Sequence, residues 1–145
     1  MQLAQINVAT ILYDTEDPRM AEFMDNLDRI NALAEESPGF VWRLQDDSGN
    51  ATDIHAFDDP HLLLNMSVWS DIESLKNYVY KTQHTEFLAK RKNWFEMPAV
   101  PHLALWWIED GDFPSAAEGR RRLEHLQTHG PGPVAFTFKH IYPRP

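Results

Sequence analysis

Leu62 to Phe95, LLLNMSVWSDIESLKNYVYKTQHTEFLAKRKNWF, reads as a buried strand that runs directly into a helix. Leu62, Leu64, Met66 and Val68 alternate with Leu63, Asn65, Ser67 and Trp69, the two-residue period of a strand. Ser70 with Glu73 three residues later has the form of a capping box, so a helix is expected right after Trp69. Its apolar stripe begins with Ile72, Leu75 and Val79 and resumes in shifted phase as His84, Phe87, Leu88, Trp94 and Phe95. That shift predicts a kink or two abutting helices around residues 81–83.

Upstream, Leu3 to Ile11 alternates as a strand, with Ala4, Ile6 and Val8 on one face and Gln5, Asn7 and Ala9 on the other. Asp17-Pro18 is a helix cap followed by proline at the first helical position. Met20, Phe23, Met24, Leu27, Ile30 and Ala34 then form one helical stripe, which Ser37-Pro38-Gly39 ends. Phe40 to Gln45 is a second strand, with Phe40, Trp42 and Leu44 expected to share a face. Residues 46–60 have turn composition; their acids do not match an EF-hand, and His55, Asp58 and His61 follow no recognised metal spacing, so no metal site is expected.

Downstream, Met97-Pro98 closes the helical region and His102 to Glu109 forms a strand whose neighbouring Trp106 and Trp107 must point to opposite faces. Ser115 and Glu118 give a second capping box, starting a helix with Ala116, Leu123 and Leu126 as its apolar side. Gly130-Pro131-Gly132-Pro133 ends it, and Val134 to Phe138 reads as a short last strand before a loose tail. The order of elements predicts an α+β fold: a ferredoxin-like split βαβ with an antiparallel sheet, plus a C-terminal helix and short strand. One domain over residues 1–145 is expected, with its core at 3–109 and an extension at 110–145.

Bulk properties narrow the function classes. The chain is 145 residues with a formal net charge of −9, which disfavours a nucleic-acid partner because phosphate affinity rests on clustered lysine and arginine. With no cysteine, disulfides, thiolate metal sites and cysteine nucleophiles are excluded. The start has no basic segment followed by an apolar block, and no apolar run approaches the ~20 residues of a membrane span, so a cytoplasmic protein without a membrane partner is expected.

The pattern Ser67-Val68-Trp69-Ser70-Asp71 followed by Leu75, Tyr78, His84 and Phe87 resembles the dimeric α/β-barrel superfamily. That group includes antibiotic-biosynthesis monooxygenases, heme-degrading monooxygenases and muconolactone isomerases. The phrases SPGFVWRLQ, NMSVW and HLALWW resemble more closely an uncharacterised bacterial family within it. The resemblance implies a homodimer whose sheets form a barrel, with a pocket in each subunit between sheet and helices. The asparagine of the heme-degrading members corresponds to Asn7, but their tryptophan falls on Tyr78 and their heme-ligand histidine near Leu88, one turn beyond His84. Heme degradation is therefore the weaker implication, and no cofactor is expected.

The candidate site follows from the strand faces. If Ala4, Ile6, Val8 and the even positions of 62–68 meet the helices, then Gln5, Asn7, Arg43, Asn65, Ser67, Trp69, His102 and Trp106 share the opposite face, which suits a cavity closed by a second copy. His84 is either a hydrogen-bonded histidine at a helix junction or a proton acceptor. Asn7 and Asn65 either satisfy one another or orient a carbonyl or oxygen. Arg43 either neutralises a carboxylate or enolate or pairs with a loop aspartate. With Tyr78 added as a pocket residue, the expected activity is binding of a small apolar or aromatic ligand. The alternative is a cofactor-independent monooxygenase or isomerase with His84, Asn7 and Asn65 as catalytic groups.

Overall fold

The computed structural model describes residues 1–45, 57, 59–83 and 90–145. Four strands, β1 (Gln2–Thr10), β2 (Phe40–Arg43), β3 (Leu62–Trp69) and β4 (Leu103–Ile108), form one antiparallel sheet in the order β2-β3-β1-β4. Helices α1 (Ala21–Glu36) and α2 (Ile72–Gln83) make the two crossovers, and α3 (Ala116–His129) follows β4. The fold is thus the α+β, ferredoxin-like arrangement read from the sequence.

The faces are reversed from the sequence expectation. Ala4, Ile6, Val8, Leu64, Met66, Val68, Ala104, Trp106 and Ile108 pack against Leu123 and Leu126 of α3, forming the back layer. The opposite, front face carries Leu3, Trp69 and Leu105 against Ala34 of α1 and Leu75 of α2. At the other end of the front lies a second cluster of Ile11, Met20, Phe23, Leu63 and Trp94. The uniformly apolar face thus lies under α3, while the face that mixes polar and apolar residues lies under α1 and α2. Both sheet faces are packed against helices of the same chain. In this chain α3 occupies the face that a split βαβ otherwise leaves open.

Gly119 makes the close seating of α3 possible. A Cβ placed there would lie 2.8 Å from Met66 Sδ and 3.0 Å from Ile6 Cδ1, so glycine lets the helix backbone approach the sheet.

Several local expectations shift. The α2 cap is Asp71, whose Oδ1 accepts from the Ser74 N–H at 2.8 Å; the capping box read on Ser70 and Glu73 is displaced by one residue because the Ser70 N–H donates to the Gly39 carbonyl at 2.8 Å. At α3 the Ser115 cap stands, accepting from Glu118 N–H at 3.1 Å. A 3-10 turn over Pro18–Met20, capped by Asp17, precedes α1. In β2 a bulge between Phe40 and Trp42 breaks the alternation, so Phe40 faces front with Trp69 while Trp42 faces back with Val68. Whether the helix kinks after residue 83 concerns residues 84–89, outside the described residues.

The last strand read at Val134 to Phe138 is a single bridge, in which Phe136 and Leu105 exchange both backbone hydrogen bonds at 2.8 and 2.9 Å. The tail read as loose is tied down: the Trp107 indole donates to the Tyr142 carbonyl at 2.9 Å, and Arg144 donates to the Ser70 carbonyl at 3.0 Å. It therefore passes from the back layer around the outer edge of β4 to the front, where Phe136 is fully buried.

Candidate functional site

The front face is ordered in rows that cross the sheet. One row is Phe40, Trp69, Leu3 and Trp107; the next is Arg43, Ser67, Gln5 and Leu105; the third is Asn65, Asn7 and Leu103. Beyond them Leu63 and Ala9 return to apolar chemistry. A polar band thus crosses β2, β3 and β1 between two apolar clusters and gives way to leucine on β4.

Within the band the side chains form one connected ladder. Gln5 Nε2 donates to Asn65 Oδ1 at 2.8 Å and to Ser67 Oγ at 2.7 Å. Asn7 Nδ2 donates to Gln5 Oε1 at 3.1 Å, and the Trp69 indole donates to Ser67 Oγ at 2.8 Å. The root of the ladder is dry, with Gln5 3% and Ser67 5% exposed, and Trp69 wholly buried. Such a satisfied network avoids the cost that an unpaired buried amide carries. Its outer end, the directly opposed pair Asn7 and Asn65, is only partly buried. There the Asn65 amide N–H groups and Asn7 Oδ1 make no hydrogen bond within the described residues, so one carboxamide offers donors beside another that offers an acceptor.

Aromatic rings fix the ladder's root. Trp69 stacks on Tyr78 of α2 with centroids 5.1 Å apart and meets Phe40 edge-on at 5.5 Å. Burial pushes the Tyr78 phenol up to about 12 against a partial opposing effect of Arg43, and its hydroxyl donates to the Ile30 carbonyl at 3.4 Å. Tyr78 is thus a neutral hydrogen-bonding wall at ordinary pH. Arg43 donates from Nε to Glu35 Oε1 of α1 at 2.8 Å; most of the loop aspartates offered as its partner lie outside the described residues.

Of the residues expected to share the site, Gln5, Asn7, Arg43, Asn65, Ser67, Trp69 and Tyr78 come together under α1 and α2. Trp106 does not. Its register partner is Ala4, so it lies in the back layer, where its indole N–H has no partner among the described residues and Arg122 sits 5.7 Å over its ring. His102 lies before β4 begins, largely open to solvent, and partial desolvation, followed by the nearby Arg91, lowers its pKa. Both were grouped with Gln5 by assuming the opposite register. His84 lies outside the described residues, as do His55 and Asp58; His61 pairs with Asp14 at 2.6 Å. Among the described residues, no group of three or more histidines and carboxylates could hold a metal. No helix there is long and apolar enough to cross a membrane.

The sequence reading missed Glu35, which signals nothing by spacing because only the α1–β2 packing brings it to Arg43. Two shallow surface grooves flank α2. One is lined by Ser37, Pro38, Ser74, Asn77, Tyr78 and Lys81, the other by Glu73, Lys76, Val79, Tyr80 and Phe138. Tyr78, which stacks on Trp69 at the ladder's root, also lines the first groove.

Comparison with solved structures shows the same fold. A mutant form of SnoaB, a cofactor-independent oxygenase from Streptomyces nogalater, matches with a TM-score of 0.50 at 16% identity, over 79% of this chain and 98% of that one. Another SnoaB structure gives 0.49 at 16% identity, over 77% and 96%. A putative antibiotic biosynthesis monooxygenase from Chloroflexus aurantiacus J-10-fl gives 0.45 at 16% identity, over 77% and 98%. At this identity the likeness is one of fold. No curated protein matches. The family described as Domain of unknown function (DUF3291) matches residues 2–145, and the chain belongs to that family.

Proposed function

We propose that this protein binds a small, largely apolar or aromatic molecule on the front face of the sheet, beneath α1 and α2, with the ladder as a polar floor. The observation that carries this reading is the outer pair Asn7 and Asn65, which keeps unspent donors and an acceptor side by side while every deeper polar group is satisfied. Polar groups set in an otherwise apolar surface orient a ligand by its carbonyl or hydroxyl, and the apolar surround supplies most of the affinity. Residues 110–145 belong to the same folding unit in this reading, since they cover the back and hold the β4 edge. A homodimer is the assembly the resemblance implies, which sedimentation equilibrium tests.

Titration calorimetry with 2-acetonaphthone checks the ligand reading. Wild-type protein is expected to bind, and Asn65→Ala to bind about five- to tenfold more weakly from the loss of one hydrogen bond, with melting temperature nearly unchanged. Equal binding by both proteins would sink the assignment of the ladder as the floor.

A second reading is a cofactor-independent oxygenase or isomerase, with Asn7 and Asn65 orienting oxygen or a carbonyl and His84 accepting a proton. The fold shared with SnoaB favours it. Oxygen uptake with naphthalene-1,4-diol in chelator-treated protein, above the buffer rate and lost in Asn65→Ala, is the expected signature; uptake at the buffer rate removes it.

A further inference from the structure

Resting on the ligand-binding reading, we propose that the ligand carries a carboxylate and that the outer edge of Arg43 receives it. The cation is nearly enclosed, its side chain 11% exposed against 49% for Glu35. A desolvated guanidinium is costly unless its donors are used. Glu35 takes only Nε, through one oxygen at 2.8 Å, and Arg43 makes no other hydrogen bond or ion pair within the described residues. Both terminal nitrogens remain. Together they form the second N–H edge of the fork, which matches the two oxygens of a carboxylate.

Position in the sheet supports the same assignment. Arg43 begins the row Arg43, Ser67, Gln5 and Leu105, so the floor passes from cation through hydroxyl and amide to leucine. Neighbouring strands lie about 4.8 Å apart, and four strands therefore span roughly 14 Å. Ser67, Gln5 and Leu105 of that row are covered, so an aromatic acid held at Arg43 lays its ring over the half-buried Asn65, Asn7 and Leu103 of the next row. The group facing Arg43 from α2 is Tyr78, a neutral phenol, and Glu35 is its one ion-pair partner among the described residues.

The test uses the full chain and a matched pair of probes, 2-naphthoate and its methyl ester, measured by calorimetry. Wild-type protein is expected to prefer the acid by about tenfold or more, Arg43→Gln to lose that preference, and Arg43→Lys to keep part of it. Glu35→Gln is expected to widen it by removing the competing charge. Circular dichroism melting of each variant establishes that it is folded. An ester that binds as well as the acid, still weakened by Asn65→Ala, overturns the carboxylate assignment and leaves the ligand reading standing. Binding of neither probe overturns both. Persistence of the acid preference in Arg43→Gln places the carboxylate elsewhere and likewise overturns the assignment.

Discussion

Trp69 and Trp106 are both fully buried indoles on opposite faces of one sheet, and among the described residues only Trp69 has a partner for its N–H. Around Trp106 the back layer is dry and closed by α3, with Gly119 drawn down onto Met66 and Ile6. Around Trp69 the front layer holds a hydrogen-bonded ladder whose outer end is left open. The contrast separates two uses of a sheet. One face spends its surface on burial, while the other gives up apolar area to keep polar groups in fixed geometry. A binding site belongs to the second kind, since orientation of a ligand needs polar groups held still by their neighbours.

The contrast yields graded expectations. The largest effect belongs to the back. Leu123→Ala, at a fully buried contact between α3 and the sheet, is expected to cost about 2–5 kcal/mol in urea denaturation. A cost under 1 kcal/mol would mean that α3 is not a true layer. Gly119→Val comes next, at about 1–3 kcal/mol, because a three-carbon side chain enters the Met66 contact, where even the Cβ would lie 2.8 Å from the sulfur. Thermal melting reads this, and a neutral result would show that the helix can lift away freely.

Replacing each tryptophan by phenylalanine sharpens the comparison. Both changes lose similar volume, but Trp69→Phe also breaks the donation to Ser67 while Trp106→Phe removes an unpartnered donor. Trp69→Phe is expected to be the costlier by about 1 kcal/mol or more. The reverse order would show that the ladder does not depend on the indole.

The Asp71 cap gives a smaller, pH-dependent effect. Its carboxyl is held below the usual aspartate range, first by the Ser74 backbone N–H. A depressed folded pKa adds stability above the unfolded pKa and loses it as pH falls through the folded one. Asp71→Asn keeps a capping oxygen and sacrifices only the charge, so its deficit at pH 7 is expected to be a few tenths of a kcal/mol and to close below pH ~4. A deficit constant down to pH ~3 would rule out the charge as its source. The stability effect of Asn65→Ala is expected to be similarly small, under about 1 kcal/mol, since its amide donors are unspent and Gln5 keeps its bond to Ser67. If this change rivals Leu123→Ala, the ladder is structural and the front face loses its claim to a site.

Much of the architecture was legible in the sequence because it rests on local rules. The two-residue alternation of β1 and β3, the Ser115 cap and the opposite facing of Trp106 and Trp107 need only the strand pleat and the first helical turn. Grouping Gln5, Asn7, Asn65, Ser67 and Trp69 likewise followed from parity within two strands. Trp106 and His102 were misplaced because the relation of β4 to β1 depends on pairing register, which no single strand contains. Arg43 reached the right face through a bulge at Val41 that alternation does not reveal.

What the sequence alone determined is therefore the set of elements and the polar parity of β1 and β3, consequences of backbone geometry and side-chain period. Only the tertiary structure decided which face the helices cover, that α3 closes the other, and that Glu35 meets Arg43. Those outcomes depend on competition for buried apolar area between segments far apart in the chain, and one segment read alone carries no record of it.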